Sequence, residues 1–199
     1  MATQGLRERK KARTRESIAA VALALFAERG YDNVTVAELA EAAEVSKGTL
    51  FAYFSTKEEI VFADTALGHE GILFELAHRT RGLSALETMR VCVINHLEHP
   101  SPHARTREKL IEANDVLRVH YRAQISAVED ALAAGIAADL GEQPDALRPR
   151  IMASGAMAAF TVAKERAYRI RNREAALAEA NAVLDEAFAM LLHGTEPRT

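Results

Sequence analysis

Three helix start signals, at Thr35, Ser46 and Thr56, constrain the fold of this chain more than any other feature of its sequence. Thr35 is followed three positions later by Glu38, and Thr56 by Glu59, which is the spacing of a capping box at a helix N-terminus. Ser46 is also a residue type favoured as a helix cap. Two helices of about two turns each, separated by a short turn and followed directly by a third helix, have the proportions of a helix-turn-helix.

Apolar pairs support the first two of these starts, since Val34 with Leu39 and Val45 with Leu50 occupy the positions of a hydrophobic staple. The second helix is expected to bury Leu50 and Phe54. On its other face it is expected to expose Lys47, Gly48, Thr49 and Tyr53. A short helix whose exposed end carries small and basic residues suits entry into the major groove of DNA.

Residues 39–60, which read L-A-E-A-A-E-V-S-K-G-T-L-F-A-Y-F-S-T-K-E-E-I, resemble the DNA-binding domain of the TetR family of bacterial transcriptional regulators. The family pattern is I-A-x-x-A-G-V-S-x-G-T-L-Y-x-Y-F-x-x-K-x-x-L, and residues 15–35 are similar to the family's first helix and its exit. Two positions depart from this pattern. Glu44 replaces a glycine that often ends the first helix of the motif, and Phe51 replaces a frequent tyrosine, which removes a hydroxyl group able to bind a phosphate.

Positive charge is concentrated ahead of this motif, although the formal net charge of the whole chain is −3. Six basic residues and one acidic residue lie between Arg7 and Arg15, whereas residues 16–60 carry three basic and eight acidic residues. The sequence therefore predicts that a basic N-terminal arm, together with Lys47 and Lys57, attracts DNA. The alternative for such a basic run is a solvated tail without a partner.

The predicted DNA contacts divide into base-reading and phosphate-binding residues. Lys47 can donate to guanine, Thr49 can contact a thymine methyl group, and Gly48 permits close approach of the two backbones. Ser46 and Phe51 also belong to the predicted DNA-binding set. The phosphate-binding residues are expected to be Thr35, Tyr53 and Lys57. Arg13 and the basic residues near it are expected to reach either an adjacent groove or phosphates.

Composition indicates an all-α protein without a membrane span. The 199 residues are rich in alanine, leucine and glutamate and include no tryptophan, ten glycines and five prolines. No run of about 18 apolar residues is present, and the N-terminus lacks the apolar segment of a signal peptide. The single cysteine, Cys92, excludes an internal disulfide and favours a reducing cytoplasm.

Helical periodicity and turn signals predict further long helices after the motif. Two prolines between His99 and His103 and the turn G-E-Q-P-D at 141–145 interrupt them. The predicted ranges are 57–79, 83–99, 104–113, 115–140, 146–170 and 173–193. We therefore expect an N-terminal three-helix DNA-binding domain in residues 1–56 and a larger helical domain in residues 57–199.

The TetR resemblance implies that the larger domain forms a homodimer and binds a ligand. In the resembling family the last two long helices pair with their copies, and one helix-turn-helix rarely discriminates well enough without a second half-site. Here both helices carry stripes of small or apolar residues, namely Ile151, Ser154, Gly155, Ala158, Ala159, Val162 and Ala163 on one and Leu177, Ala180, Leu184, Ala187, Phe188, Leu191 and Leu192 on the other. The alternative is that both stripes face an internal core.

The same resemblance implies a pocket for an inducer, whose binding separates or tilts the two DNA-reading heads. The candidate contacts are Met89, Asn95, His96, Asn114, Tyr121, Met157, Phe160 and Thr161. A surface or core role is the ordinary alternative for each of them. We expect a small, largely apolar inducer and no cofactor.

Other functional classes find less support in the sequence. His96, His99 and His103 lie close together, but their spacing is not H-E-x-x-H, and a lone cysteine such as Cys92 on an apolar helix is normally inert. An enzyme or ligand carrier would need a catalytic constellation in residues 83–193, and the motifs G-x-x-x-x-G-K-[ST], G-x-G-x-x-G and G-x-S-x-G are absent. The sequence thus predicts a cytoplasmic, homodimeric, ligand-responsive repressor that binds operator DNA and is not an enzyme. The alternative is an architectural DNA-binding protein without a ligand.

Overall fold

The computed structural model describes the backbone of residues 2–63 and 69–193, with side chains for residues 9–63 and 69–192. In this part of the chain the regular structure consists of ten α-helices without a strand, which confirms the all-α prediction. The helices are α1 Ala2–Arg29, α2 Val36–Ala42, α3 Lys47–Tyr53, α4 Lys57–Phe62, α5 His69–Ala77, α6 Ala85–Glu98, α7 Ala104–Ala113, α8 Asp115–Leu140, α9 Leu147–Arg169 and α10 Arg173–His193. Among the described helices, none has the length and apolar content needed to cross a membrane.

The helices predicted after residue 83 lie close to those observed. α7, α8 and α10 have the predicted bounds, and α6 and α9 differ from them by one or two residues at each end. Ser84 starts α6 with a capping box that includes Glu87. Pro149 lies in the first turn of α9, where a helix needs no backbone N–H donor. These boundaries follow from local signals in the sequence.

The single helix predicted over residues 57–79 is wrong, because α4 and α5 are separate helices. At the end of α4, the carbonyl oxygen of Val61 accepts a hydrogen bond from Arg107 Nε at 3.0 Å. The carbonyl oxygen of Ala63 accepts one from Arg15 Nη1 at 3.2 Å. Side chains that are distant in sequence thus satisfy carbonyl groups that a longer helix would pair internally.

The basic N-terminal segment is part of a helix and not a separate arm. α1 begins at Ala2 and continues for 28 residues through the whole segment. Arg13 is exposed on this helix, whereas Arg15 is half-buried. The guanidinium carbon of Arg15 lies 4.8 Å from the centre of the Phe54 ring. Arg15 therefore takes part in the packing of α1 against Phe54 and the end of α4.

The chain divides into two compact units, each with its own apolar core. Unit 1 consists of Met1–Gly68 and Ser101–Arg122, and unit 2 consists of His69–Pro100 and Ala123–Thr199. Helix α7 and the first residues of α8 therefore belong with the N-terminal helices. This division of the chain differs from the predicted boundary after residue 56. That boundary, between a DNA-binding domain and a larger helical domain, stays a prediction.

The buried faces of α2 and α3 pack into the core of unit 1. Leu39 of α2 and Leu50 of α3, the two staple residues, are each only 1% exposed. Both belong to a cluster that includes Leu23 and Phe26 of α1. Leu110 of α7 and Leu117 of α8 join the same cluster. Two helices that follow much later in the sequence thus help to hold the helix-turn-helix in place.

Unit 2 packs α5, α6, the later part of α8, α9 and α10 around a second apolar cluster. α9 and α10 approach closely at Gly155, where an added Cβ atom would lie 2.7 Å from Leu191 Cδ2. α8 and α6 approach equally closely, since a Cβ atom on Gly135 would lie 2.8 Å from Ala85 Cβ. Glycine at these two positions lets neighbouring helices meet without a clash.

Candidate nucleic-acid interface

A capping box begins α2, as the sequence predicts. Glu38 N–H donates to Thr35 Oγ1 at 3.3 Å, while Thr35 N–H and its hydroxyl group donate to the Glu38 carboxylate at 2.8 and 2.7 Å. Arg29 pairs with the same carboxylate at 2.6 Å. Hydrogen bonds from Thr35 and from Arg29 lower the pKa of Glu38 to about 2. The Thr35 hydroxyl, predicted to contact a phosphate, is therefore engaged within the protein.

The turn between α2 and α3 contains a left-handed residue, Glu44, with φ of 54°. Its N–H group donates to Glu41 O at 3.0 Å, and the N–H group of Val45 donates to Ala40 O at 2.9 Å. These two hydrogen bonds form a Schellman motif. The departure from the family's glycine therefore falls on the conformation that favours glycine, at a cost of about 1 kcal/mol.

The start of α3 presents the residues predicted to meet bases. Ser46 caps the helix by accepting a hydrogen bond from Thr49 N–H at 3.0 Å. The Ser46 and Thr49 hydroxyl oxygens lie 2.8 Å apart, so the Thr49 hydroxyl is held within the cap. Lys47 and Gly48 are exposed, as predicted. Thr49, which was also expected to be exposed, is half-buried.

The last turn of α3 differs from its prediction at one residue. Leu50 and Phe54 are buried, as expected, and Phe51 is 53% exposed. Tyr53, expected to be exposed, is half-buried and packs against the core of unit 1. The exposed residues of α3 are Lys47, Gly48, Phe51 and Ala52.

The cap of α4 is only partly the one predicted. Thr56 Oγ1 accepts a hydrogen bond from Glu59 N–H at 3.2 Å, as a cap should. The Glu59 carboxylate, however, accepts from Ser55 N–H at 2.7 Å. The reciprocal hydrogen bond of the predicted capping box is thus displaced by one residue toward the N-terminus.

Lys57, a predicted phosphate contact, lies half-buried against the turn that joins α1 to α2. Its ammonium group donates to the Tyr31 carbonyl and lies 4.0 Å from the centre of the Tyr31 ring. The Tyr31 hydroxyl donates to the Glu58 carboxylate at 2.7 Å. Burial lowers the pKa of Lys57, while burial and the Glu58 carboxylate raise the pKa of Tyr31. A phosphate contact of Lys57 stays a prediction, and it requires N–H groups other than the one bound to Tyr31.

Arg107, a buried residue that supports the end of α4, was not identified from the sequence. It is only 8% exposed, and besides its bond to Val61 it donates from Nη2 to Ser101 Oγ at 3.3 Å. The available signal was its position three residues before the buried Leu110, on the same face of α7. Arg107 connects α7 to the end of α4, the helix that follows α3.

The eight predicted ligand contacts are divided between the two units. Asn114 and Tyr121 belong to unit 1. Asn114 Nδ2 donates to Asp32 at 2.9 Å, and its Oδ1 accepts from Leu117 N–H at 3.1 Å, which caps α8. Tyr121 stacks on Phe62 with ring centres 6.3 Å apart. Both residues therefore have a structural part in unit 1.

The other six predicted ligand contacts belong to unit 2. Three of them share its apolar cluster, with Met89 and Phe160 buried and Met157 packed against them. The polar ones lie nearer the surface. Asn95 and Thr161 are exposed, and His96 is half-buried with Nε2 3.2 Å from the hydroxyl group of a tyrosine. The structure therefore groups only the apolar candidates.

The structure gives no support to the histidines and the cysteine considered as sensors within the residues that it describes. His99 Nδ1 lies 3.0 Å from Asn95 Oδ1, and His103 belongs to unit 1, where it precedes α7. Cys92 is buried, and burial raises the pKa of its thiol. Within the described residues, no group of three or more side chains with metal-ligand chemistry occurs.

Two family models match the chain, and together they cover most of it. One, described as bacterial regulatory proteins of the tetR family, matches residues 18–63. The other, described as the MftR C-terminal domain, matches residues 83–196. The first range contains α2 and α3, and the second contains α6 to α10.

Sequence relatives and a solved structure agree with these matches. TcmR, an HTH-type transcriptional regulator of Streptomyces glaucescens, is 40% identical over 85 residues, which are 43% of this chain and 38% of TcmR. MftR of Mycobacterium tuberculosis, described as a candidate transcriptional regulator of mycofactocin biosynthesis, is 26% identical over 148 residues, 73% of this chain and 75% of MftR. GusR of Salmonella enterica has the same fold, with a TM-score of 0.59 and 19% identity over 90% of this chain and 95% of GusR.

Proposed function

Because the chain belongs to the TetR family of bacterial regulatory proteins, we propose that it binds operator DNA as a homodimer in the cytoplasm and represses transcription. We further propose that a small, largely apolar inducer releases it. The capped, exposed start of α3 carries this proposal, since a helix end with Lys47 and Gly48 on its surface suits the major groove.

Gly48 supports this function because the protein itself does not require a glycine there. An added Cβ atom would have Ser46 Oγ, 3.8 Å away, as its nearest neighbour, which is an ordinary contact distance. Glycine within a helix costs about 0.5–1 kcal/mol relative to alanine. Gly48 therefore weakens α3 without relieving a clash in the free protein. Its presence is explained if the backbone of a partner approaches α3 closely at this position.

The proposed contacts follow from the chemical group that each side chain can present to DNA. Lys47 donates to guanine O6 and N7, and the Thr49 methyl group meets a thymine. Arg13, Tyr53 and Lys57 bind phosphates and fix the register on the duplex without reading its sequence. Thr35 contributes chiefly by capping α2, since its hydroxyl group donates to Glu38.

The proposed dimer uses the exposed apolar face of α9 and α10. Of the predicted stripe on α9, Ala159 and Ala163 are buried in unit 2, whereas Ile151 is 55% exposed and Val162 is 39% exposed. Met190 of α10 is 61% exposed. We propose that a second copy covers these side chains, because two recognition helices are needed to meet two half-sites of an operator.

The proposed inducer enters the apolar cluster of unit 2. Met89, Met157 and Phe160 belong to this one cluster, and methionine side chains adapt readily to apolar ligands. The inducer favours a conformation in which the separation of the two DNA-reading heads does not match the operator, so it weakens operator binding. By linkage, operator DNA weakens inducer binding by the same factor.

Selection of duplexes from a random library, followed by fluorescence-anisotropy titration, tests the function. At about 150 mM salt we expect the enriched duplex to bind at least about 10³-fold more tightly than a scrambled duplex. Lys47→Ala should relax base preference at one position in each half-site. Lys109→Ala, an exposed lysine on α7, is the matched control and should leave the preference unchanged. Equal, weak and salt-sensitive binding to both duplexes would favour the architectural alternative.

Light scattering on the purified protein tests the dimer. Ile151→Glu should convert a dimer to a monomer, because it places a charge in an apolar interface. Val91→Glu is the control, since Val91 is 57% exposed on α6, outside the last two helices. A wild-type monomer, or an unchanged dimer in Ile151→Glu, would contradict this part of the proposal.

A further inference from the structure

We propose that Phe51 is a specificity-determining residue that reads the C5-methyl group of a thymine in each half-site. The inference rests on the proposed function and deepens it. It also differs from the phosphate contact that a tyrosine at this position would make, because a phenyl ring offers no hydrogen bond.

The exposure of Phe51 is unlike that of the other phenylalanines in unit 1. Phe26 is 0%, Phe54 is 2% and Phe62 is 9% exposed, whereas Phe51 is 53% exposed. The fold thus buries each neighbouring phenyl ring and leaves this one on the surface. The exposed part of the Phe51 ring is in contact with water in the free protein. A partner that covers this apolar surface would therefore gain the free energy of removing it from water.

The ring of Phe51 lies on the proposed base-reading face of α3. Phe51 follows Lys47 by four positions and Gly48 by three, and residues at these spacings share one side of a helix. Side chains on a helix also lean toward its N-terminus, so the ring is directed toward the turn that holds Lys47 and Gly48. Gly48 has no side chain to occupy the space beside it.

The groups that bases present in the major groove determine which of them a phenyl ring can contact. Base edges in this groove carry hydrogen-bond donors and acceptors and one apolar group, the methyl group of thymine. A phenyl ring can neither bind a phosphate nor pair with the polar edges.

Thymine-to-uracil replacement in the enriched duplex tests this inference, because it removes only the methyl group. For the wild-type protein we expect one thymine in each half-site at which replacement weakens binding by about fourfold, the factor that burial of one methyl group supplies. For Phe51→Ala, the thymine and uracil duplexes should bind equally at that position. Phe51→Tyr keeps the ring and should keep the discrimination.

Each alternative result has a distinct meaning. If Phe51→Ala loses affinity for thymine and uracil duplexes by the same factor at every position, the ring contacts the sugar-phosphate backbone and the inference is overturned. If Phe51→Ala binds like the wild type, the ring lies outside the DNA interface and serves another partner, which also overturns it. If no duplex is enriched by selection, the proposed function fails together with the inference. A thermal unfolding curve shows whether each variant is folded.

Discussion

Glu44 occupies the one described non-glycine position with a positive φ, in the turn that orients α3 relative to α2. The Schellman hydrogen bonds at Glu44 and Val45 are intact, so the turn has its usual geometry with an unusual residue. A side chain in the left-handed region costs about 1–2 kcal/mol. The departure from the family pattern at this residue therefore affects stability and leaves the shape of the turn in place.

Glu44→Gly should raise the free energy of unfolding by about 1 kcal/mol, because glycine adopts this φ without strain. Urea denaturation followed by circular dichroism measures the change. Glu41→Gly is the matched control, since the same substitution inside α2 should lower stability by about 0.5–1 kcal/mol. A loss of stability in both variants would show that the Glu44 side chain contributes more than its backbone strain costs.

Among the elements, α2 and α4 are fixed to the rest of unit 1 by charged side chains. At the start of α2, Glu38 combines the capping box with an ion pair to Arg29. At the end of α4, Arg15 and Arg107 supply donors to carbonyl oxygens. Both ends of the helix-turn-helix region are therefore held by hydrogen bonds to ionised groups, which are stronger than neutral ones.

Glu38→Gln should remove part of the acid sensitivity of unfolding. The folded-state pKa of Glu38 is about 2, below its ordinary value of 4.5. A lowered pKa contributes stability that is fully present above the unfolded value and is lost as the pH falls through the folded one. We expect the wild type to lose more stability than Glu38→Gln between those two values. Urea denaturation along a pH series measures this difference, with Glu41→Gln on the next turn as the control.

Arg107→Met should lower the free energy of unfolding by about 1–3 kcal/mol, because the buried carbonyl of Val61 loses its donor. Methionine retains the unbranched apolar stem, so packing on α7 changes little. Arg105→Met on the same helix is exposed and should leave stability nearly unchanged. Equal effects of the two substitutions would mean that the hydrogen bond to α4 carries no net stability.

At the scale of the whole molecule, each compact unit is assembled from two separate segments of the sequence. The second family match covers residues 83–196, yet residues 101–122 within it belong to the compact unit that contains the helix-turn-helix. Leu117 of α8 is fully buried in the core of unit 1, and Leu132 of the same helix is fully buried in the core of unit 2. One helix thus contributes to two cores.

Leu117→Ala and Leu132→Ala should destabilise different units, each by about 2–5 kcal/mol, because each removes a buried leucine from one core. Native-state hydrogen exchange on the full chain separates the two effects. Leu117→Ala should lower the protection of amides in α1 to α4, and Leu132→Ala that of amides in α6 and α9. The same pattern of lost protection in both variants would show that the two units unfold as one.

Local signals in the sequence determined the all-α fold, most helix boundaries and the exposure of Lys47 and Gly48 at the start of α3. Capping boxes, staples and proline breaks act within a few residues, so a linear pattern is sufficient to predict them. The comparison with the family pattern, and no local signal, marked Glu44 as a departure from glycine, and the structure shows a positive φ at this residue. At Thr56 the cap was predicted correctly, but the donor of the reciprocal hydrogen bond is Ser55 N–H and not Thr56 N–H, because the side-chain rotamer of Glu59 decides which donor its carboxylate meets.

Only the tertiary structure decided where the charged side chains of unit 1 are directed. Arg15 and Arg107 turn inward to the end of α4, and Lys57 turns to the Tyr31 carbonyl. The partners of these residues lie 26 to 48 positions away in sequence. A periodic pattern identifies which face of a helix is apolar, but not which distant carbonyl group or ring will lie opposite a given cation. For this reason the internal hydrogen bonds of Arg15, Arg107 and Lys57 could not be predicted from the sequence.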